Sequence, residues 1–286
     1  MSAKLFKQTF GSAPAATIFT PGRVNILGEH TDYNGGLVLP AALDIGVTIS
    51  ILPRKDKQVR VISDAFEEMA ERALSERATG HWSDYALGAV REARQLGFAD
   101  GADIAMTTTL PFGAGISSSA AVCVGILRAL ATVNGHTLSP EETAMAARRV
   151  ETDFIGVPCG IMDQMAVAVA EPGQAMALDA RSLAYELIAL PQTHTLVVVH
   201  SGVQRKLNEG RYAKRKAECD AAKKALGTDD LCLITEGELA TLRDGPASIY
   251  RRARHCLREH AGQFAVERDR IEREQRDGEQ AEDRAG

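Results

Sequence analysis

The order of apolar and polar positions along the chain predicts strands and helices that alternate without a regular rhythm. Residues 16–63 carry strand patterns, with an apolar β-branched run over 44–52 and strict alternation over 58–62. Between 82 and 97 the apolar residues recur at helical spacing, and 102–109 has the pattern of a further strand.

The middle of the chain predicts three helices in succession. A helix of small residues over 117–133 follows directly on a glycine-rich turn. Ser139 suits the N-cap and Pro140 the first position of the next helix, which we expect to continue to about residue 155. The third helix is expected from about residue 160.

The last third of the chain changes character. Strands are predicted at 174–179, 184–190 and 195–200, and a helical pattern rich in lysine and arginine begins near residue 209. Residues 267–286 are mostly charged, too polar to offset the entropy of ordering them. The mixed order of elements indicates an α+β architecture.

Composition adds limits to this picture. The 286 residues, 45% hydrophobic and 25% charged, are enough for one large globular domain or two ordinary ones. A net charge of −5, without a basic stripe or an aromatic platform, gives no reason to expect nucleic acid or a membrane as a partner. Any anion must therefore be bound by a local device.

Two further observations favour the cytoplasm. The first residues lack the apolar run of a secretory signal, and the longest apolar stretch, 120–133, is interrupted by Arg128 and too short for a bilayer. The five cysteines form no CxxC pair, which is typical of reduced thiols.

The segment LPFGAGISSSAA, residues 110–121, is a candidate anion site. Gly113 and Gly115 let the backbone approach a ligand, and the helix behind them presents unpaired N–H groups. It is not a Walker A loop, because GxxxxGK(S/T) is absent, nor a dinucleotide fingerprint, because Ser118 replaces the third glycine. The residues alone also allow a plain strand–turn–helix whose serines cap the helix.

Two other segments combine acidic residues with glycines. Residues 21–36, PGRVNILGEHTDYNGG, offer carboxylates and an imidazole that can bind several hydroxyls, although a polar turn with a helix cap is the simpler reading. In residues 156–164, GVPCGIMDQ, Asp163 is an acid among apolar neighbours, unless it is only a helix N-terminal charge. The residues alone favour a solvated pairing of Glu151, twelve residues earlier, with Arg148 or Arg149.

Taken together, these segments resemble galactokinases, members of the galactokinase, homoserine kinase, mevalonate kinase and phosphomevalonate kinase (GHMP) superfamily. Residues 22–34 are similar to the signature GRVNLIGEHTDYN, apart from an exchange of isoleucine and leucine at 26 and 27. The loop is similar to PxGxGLSSSAA, with Ile116 for leucine, and 156–164 to GxPCGIMDQ. The resemblance implies a GHMP-kinase-like α+β fold.

That fold would have a ribosomal-protein-S5-domain-2-like part followed by an incomplete ferredoxin-like part. We expect an N-terminal domain at 1–170, a partial C-terminal domain at 171–262, and a charged tail at 263–286, either disordered or a solvated helix. The family's third motif, a GxGFGG-type segment, is not found, and the resemblance stops near residue 260. Either a truncated or frameshifted product or a shortened variant would explain this.

The resemblance implies a role for each matching residue. Asp163 would be the catalytic base and Arg23 would stabilise the transferring group, while Glu151 and a hydroxyl from Ser119, or else Ser118, would hold Mg²⁺. The expected sugar contacts are Glu29, His30, Asp32, Gly160 and Tyr212. The expected ATP contacts are Pro111, Gly113, Ala114, Gly115, Ile116, Ser117, Ser118, Ser119 and Ala120.

The implied activity is transfer of the ATP γ-phosphate to the anomeric hydroxyl of galactose by a monomer. Two alternatives stay open: a galactose- and ATP-binding sensor or inactive remnant, and a kinase for N-acetylgalactosamine or another sugar. The remaining histidines lack metal-ligand spacing and are interpreted as structural or surface residues; they are His81, His136, His194, His255 and His260.

Overall fold

The computed structural model describes residues 1–111, 113–199 and 210–262, and within it the chain divides into two compact units. The first comprises Met1–Val24, Pro40–Ala177 and Tyr185–Ala213, and the second Asn25–Leu39, Leu178–Ala184 and Lys214–Gly286. This division differs from consecutive domains at 1–170 and 171–262, because residues 25–39 group with the C-terminal helices. The predicted tail at 263–286 lies outside the described residues.

A mixed sheet forms the centre of the first unit. The strands in the described residues are β1 (Ala16–Asn25), β2 (Leu37–Val38), β3 (Pro40–Pro53), β4 (Gln58–Ser63), β5 (Ala70–Ala73), β6 (Ala102–Thr108), β7 (Gln174–Asp179) and β8 (Tyr185–Ala189). The order β7–β3–β6–β4–β5 has one parallel pair, β4 with β6, while β1 joins β3 and β8 joins β7. In the second unit, β2 pairs with Leu178 and Asp179.

The helices in the described residues follow the sequence pattern except for α1, which the sequence analysis did not predict. They are α1 (Ser2–Phe10), α2 (Asp84–Gln95), α3 (Ser118–Val133), α4 (Pro140–Arg149), α5 (Met162–Val169), α6 (Arg211–Leu226), α7 (Glu236–Thr241) and α8, residues 247–262. Ser139 caps α4 as predicted, because its hydroxyl accepts from the Glu142 amide while Glu142 accepts from the Ser139 amide. The predicted continuation to residue 155 is a π-helical turn, Val150–Ile155.

Small residues let α3 lie close against the sheet. A Cβ on Gly125 would stand only 2.4 Å from Ile49 Cδ1, so a larger residue would push the helix outward. The Thr20 hydroxyl donates to the Ala121 carbonyl at 2.9 Å and ties the first turn of α3 to β1. This close packing fixes the start of α3, where the glycine-rich turn ends.

The second unit has a core of its own. It contains Cys219, Cys232 and Cys256, all buried, packed with Leu231 and Leu239. All five cysteines are free thiols, in agreement with the prediction, and those of this core act as small apolar residues. No helix in the described parts of the chain combines the length and the apolar character needed to cross a membrane.

One predicted strand is wrong over the part that the structure describes. Residues 195–199 have no strand geometry, and residue 200 lies outside the described residues. The side chains from Leu196 to Val199 are exposed. Their β-branched, apolar pattern is not sufficient by itself, because a strand also requires a neighbour to complete its hydrogen-bond ladder.

Candidate active site

The glycine-rich turn between β6 and α3 has an unusual backbone. Gly113, Gly115 and also Ser117 adopt positive φ angles of 69°, 72° and 62°. A residue with a side chain resists this region by about 1–2 kcal/mol, so surrounding contacts must hold Ser117 there. Ser117 occupies the N-cap of α3, yet its side chain makes no capping hydrogen bond. Its hydroxyl therefore does not play the helix-capping role that the sequence allowed.

That hydroxyl instead binds Asp163, in the first turn of α5. Ser117 Oγ donates to Asp163 Oδ2 at 2.8 Å, and Arg23 donates to Oδ1 through Nε at 2.8 Å and through Nη2 at 2.5 Å. The remaining Arg23 nitrogen, Nη1, donates to the Gly115 carbonyl at 3.0 Å. One carboxylate, one guanidinium and the glycine-rich turn are thus joined in a single network.

The backbone of β1 reinforces this network. The Arg23 amide donates to the Ile116 carbonyl at 3.2 Å. A Cβ on Gly22 would lie 2.9 Å from that same carbonyl oxygen and 2.7 Å from Leu110 Cδ2. Glycine is needed at position 22 because β1 approaches the turn so closely. This gives a steric reason for the first glycine of the segment 22–34.

Glu151 forms a second acidic centre in the same unit. Its Oε2 accepts from Ser119 Oγ at 3.4 Å, and its Oε1 accepts from Gln164 Nε2 at 2.9 Å. Burial, then repulsion by Asp163, raises the pKa of Glu151 to about 7. The sequence-based alternative for Glu151 is wrong, because Arg148 donates to the Cys159 carbonyl and Arg149 pairs with Glu92.

Glu151 and Ser119 are the residues that could hold a metal ion. Across the described residues, no three side chains of the histidine, cysteine, aspartate and glutamate type are grouped as a metal cage. Mg²⁺ needs no such cage, since it usually takes one or two protein oxygens beside phosphates and water. Burial disfavours the charged form of the Glu151 carboxylate, and a divalent cation would stabilise that form. Glu151 and Ser119 therefore fit Mg²⁺ as a pair of oxygen donors.

The residues expected to contact ATP divide into three groups by exposure. Ile116, Ser117 and Ala120 are buried. Pro111, Gly115 and Ser118 are exposed, whereas Gly113, Ala114 and Ser119 are half-buried.

The residues expected to contact the sugar are spread over both units. Gly160 is buried three residues before Asp163, and Tyr212 is half-buried near the start of α6; both belong to the first unit. Glu29, His30 and Asp32 belong to the second unit, where Glu29 is exposed and the other two are half-buried.

Histidine 30 is oriented by its neighbours in the second unit. Its Nδ1 lies 3.0 Å from the Tyr33 hydroxyl, and Arg215 Nη1 lies 3.4 Å from its Nε2. Because a guanidinium can only donate, Nε2 accepts and the proton of a neutral ring sits on Nδ1. The imidazole is thereby held in one orientation.

Sequence reasoning missed Gln164 and the role of the Ser117 side chain. Gln164 is buried, and its Oε1 has no hydrogen-bond partner within the described residues. The hydrogen bond between Gln164 and Glu151 could not be predicted from the sequence, because the two residues are 13 positions apart and are brought together by the π-helical turn and α5. No local pattern indicated that Ser117 would turn away from its own helix.

Two protein-family models match the parts of the chain that contain residues 21–36, 110–121 and 156–164. A family model described as "Galactokinase galactose-binding signature" matches residues 4–53, and one described as "GHMP kinases N terminal domain" matches residues 83–171. The galactokinase of Actinobacillus pleuropneumoniae serotype 3 (strain JL03) is 34% identical over 269 residues, covering 91% of this chain and 70% of that protein. The galactokinase of Roseiflexus sp. (strain RS-1) is 36% identical over 264 residues, covering 89% and 68%.

Solved structures extend the likeness to the fold. The Lactococcus lactis galactokinase complexed with galactose superposes with a TM-score of 0.81 at 28% identity, covering 93% of this chain and 72% of that one. The Methanococcus jannaschii mevalonate kinase shares the fold at a TM-score of 0.51 and 19% identity, covering 62% of this chain and 56% of that one.

Proposed function

We propose the function of this chain from the premise that it belongs to the galactokinase family: it transfers the γ-phosphate of ATP to the anomeric hydroxyl of galactose. The product is galactose 1-phosphate. The observation that carries the proposal is the network of Arg23, Asp163 and Ser117 at the glycine-rich turn. Such a network supplies the base and the positive charge that phosphoryl transfer requires.

Asp163 acts as the base that accepts the proton of the sugar hydroxyl. Its Oδ1 is occupied by Arg23 and its Oδ2 accepts from Ser117. Each carboxylate oxygen has two lone pairs, so Oδ2 can accept a second hydrogen bond, from the anomeric hydroxyl. The two protein contacts hold the carboxylate plane, which aligns the hydroxyl oxygen for attack on phosphorus.

Arg23 stabilises the negative charge that spreads over the transferring group. Its side chain is only 13% exposed, and its guanidinium is fixed by Asp163 and by the Gly115 carbonyl. A donor that is already oriented needs no reorganisation when charge develops, and this is the main source of catalytic stabilisation in such sites.

The glycine-rich turn and the start of α3 bind the phosphates. Backbone N–H groups over residues 113–120, together with the positive end of the helix dipole, attract anionic oxygens. Glu151 and Ser119 would hold Mg²⁺, which would neutralise phosphate charge. Gln164 keeps the Glu151 carboxylate turned so that Oε2 faces Ser119.

The signature segment binds the sugar. Glu29 and Asp32 accept hydrogen bonds from sugar hydroxyls, and His30, oriented by Tyr33 and Arg215, contributes its imidazole. We assign further sugar contacts to the Gly160 backbone and to Tyr212. The protein acts as a monomer in this proposal, a prediction that light scattering tests.

The decisive experiment is ATP-dependent phosphorylation of galactose by the purified chain. Asp163→Asn is expected to lower kcat by about 10³-fold, because loss of a positioned base typically costs 10²–10⁴-fold. Asp153→Asn, which alters an exposed carboxylate ten residues earlier, is the matched control and is expected to retain activity. A folded wild-type chain that binds galactose and ATP but transfers no phosphate would overturn the kinase assignment in favour of a sensor.

A further inference from the structure

The backbone on either side of Glu29 adopts positive φ angles. Gly28 has a φ of 90° and His30 a φ of 65°. Glycine adopts such angles without strain, but for a residue with a side chain, such as His30, the left-handed region costs about 1–2 kcal/mol. Such a conformation persists only where surrounding contacts over-determine it, and it commonly marks a functional segment.

The loop's own hydrogen bonds hold only part of this conformation. The Thr31 hydroxyl donates to the Gly28 carbonyl at 2.9 Å, and Asn34 Nδ2 donates to the His30 carbonyl at 2.8 Å. These bonds leave the amides of Gly28 and Glu29 and the carbonyl of Glu29 to be satisfied from elsewhere. Gly28 is buried, so an unsatisfied amide there would be costly.

Two residues of α8 satisfy those three groups. Glu259 Oε1 accepts from the Gly28 amide at 3.0 Å and from the Glu29 amide at 3.3 Å. His255 Nε2 donates to the Glu29 carbonyl at 2.7 Å. His255 and Glu259 are four residues apart, so they stand on one face of the helix, and both belong to the same unit as the loop.

The consequence for Glu29 follows from its own lack of contacts. Its side chain is exposed and makes no hydrogen bond or ion pair within residues 1–111, 113–199 and 210–262. The position and direction of its Cα–Cβ bond, from which the carboxylate reaches into solvent, are therefore set by the peptide groups before and after its Cα. Glu259 accepts a hydrogen bond from the peptide before this Cα, and His255 donates one to the peptide after it.

We propose that His255 and Glu259 are positioning residues for the sugar: they fix the backbone of Glu29 so that its carboxylate points at a sugar hydroxyl, without touching the sugar themselves. The inference rests on the proposed function and deepens it. It assigns a role in sugar affinity to a helix that lies outside both matched family models, which end at residues 53 and 171. His255, interpreted from the sequence as a structural or surface residue, is here given a positioning role.

The test compares variants that keep and variants that remove each hydrogen bond. Glu259→Leu and His255→Leu remove the acceptor and the donor, while Glu259→Gln and His255→Gln retain an acceptor oxygen and a donor nitrogen. We expect each leucine variant to raise the galactose Kd and KM at least about 10-fold, since His255→Leu loses one hydrogen bond and Glu259→Leu loses two. The glutamine variants should stay within about threefold of wild type, and the ATP KM should not change in any of them.

Arg254→Leu is the matched control on the same helix. Arg254 lines the same surface depression as His255 and Glu259, but its guanidinium lies over the Tyr250 ring rather than on the loop. Its replacement is expected to leave the galactose Kd unchanged. If Glu259→Leu does not fold, Glu259→Asp provides the comparison, because it keeps the charge but shortens the reach by one methylene, and it too should raise the galactose Kd.

A double-mutant cycle with Glu29→Ala separates positioning from a general structural effect. If the α8 residues act through the Glu29 carboxylate, Glu259→Leu should have little further effect on galactose binding once that carboxylate is absent. Additive effects, or leucine variants that bind galactose like wild type, would overturn the inference while leaving the proposed function intact. A wild-type chain that binds no galactose in the same titration would instead defeat the proposed function.

Discussion

The network around Asp163 and the loop around Glu29 are held in opposite ways. Asp163 is fixed through its side chain, with hydrogen bonds to both carboxylate oxygens from Arg23 and Ser117. Glu29 is fixed through its backbone, while its exposed carboxylate is left to a ligand. In our proposal, the carboxylate that takes part in the chemistry is held in place by hydrogen bonds to its own oxygens. The carboxylate that binds the sugar keeps its oxygens free of protein contacts within the described residues.

Burial follows the same division. Glu151 is only 7% exposed, and the loss of solvation raises its pKa to about 7. An exposed carboxylate such as Glu29 has water as a partner, which in our proposal a sugar hydroxyl replaces. Glu151, the proposed metal ligand, lies instead where burial disfavours its charged form, a situation in which a bound cation would be stabilising.

The largest effect should come from breaking the side-chain network. Arg23→Met removes the guanidinium from Asp163 and from the Gly115 carbonyl at once. We expect kcat to fall about 10³-fold with a smaller change in the galactose KM, because a preorganised charge acts mainly in the transition state. Steady-state kinetics measure this split. Arg128→Met, on the exposed side of α3, is the control, and an equal loss in both variants would contradict the assignment.

The next effect concerns the pH dependence of stability. The pKa of Glu151 rises from its usual 4.5 to about 7 on folding. Between those values the folded carboxyl keeps a proton that the unfolded one has lost, so stability falls as pH rises towards 7 and then levels off. Without metal or nucleotide, the contribution should decrease by about 3 kcal/mol over that interval.

Urea unfolding of wild type and Glu151→Gln across this pH range measures the contribution. Only the wild type carries the titrating group at position 151, so the difference between the two free energies of unfolding isolates it. A difference that stays flat between about pH 5 and pH 8 would show that Glu151 titrates normally.

A smaller effect is expected from Gln164→Leu. Replacing the amide leaves Glu151 Oε1 without its donor and frees the carboxylate to turn away from Ser119. The apparent affinity for Mg²⁺, measured both in the assay and by calorimetry with a non-hydrolysable nucleotide, should fall about 10-fold. The galactose Kd should be unaffected, since the change alters the proposed metal ligand Glu151 and none of the proposed sugar contacts. A Gln164→Glu variant would test the same contact with a repelling group.

The smallest effect separates strain from hydrogen bonding at Ser117. Ser117→Ala and Ser117→Gly both remove the hydroxyl that binds Asp163, but only glycine relieves the φ of 62°. The glycine variant should be more stable than the alanine variant by about 1 kcal/mol, or about 2–4 °C in the melting midpoint, because it avoids the left-handed penalty. Equal midpoints would mean that the turn relaxes in the alanine variant.

Much of the fold was predictable because its signals are local. The alternation over 58–62 placed Val59 and Val61 on the buried face of β4. Ser139, Pro140 and Glu142 are read directly as the start of a helix, and the capping box is present. Residues 195–199 show the limit of such signals, since their strand pattern is not matched by strand geometry.

The sequence by itself determined where most of the elements lie and which segments carry the family's motifs, because periodicity, caps and motif strings depend on neighbours along the chain. Only the tertiary structure brought Arg23 to Asp163, 140 residues away, and turned Ser117 from its helix towards that carboxylate. It also placed Glu259 on the amides at 28 and 29, more than 200 residues away. Contacts of this kind depend on how whole elements pack against one another, and no local pattern along the chain encodes that geometry.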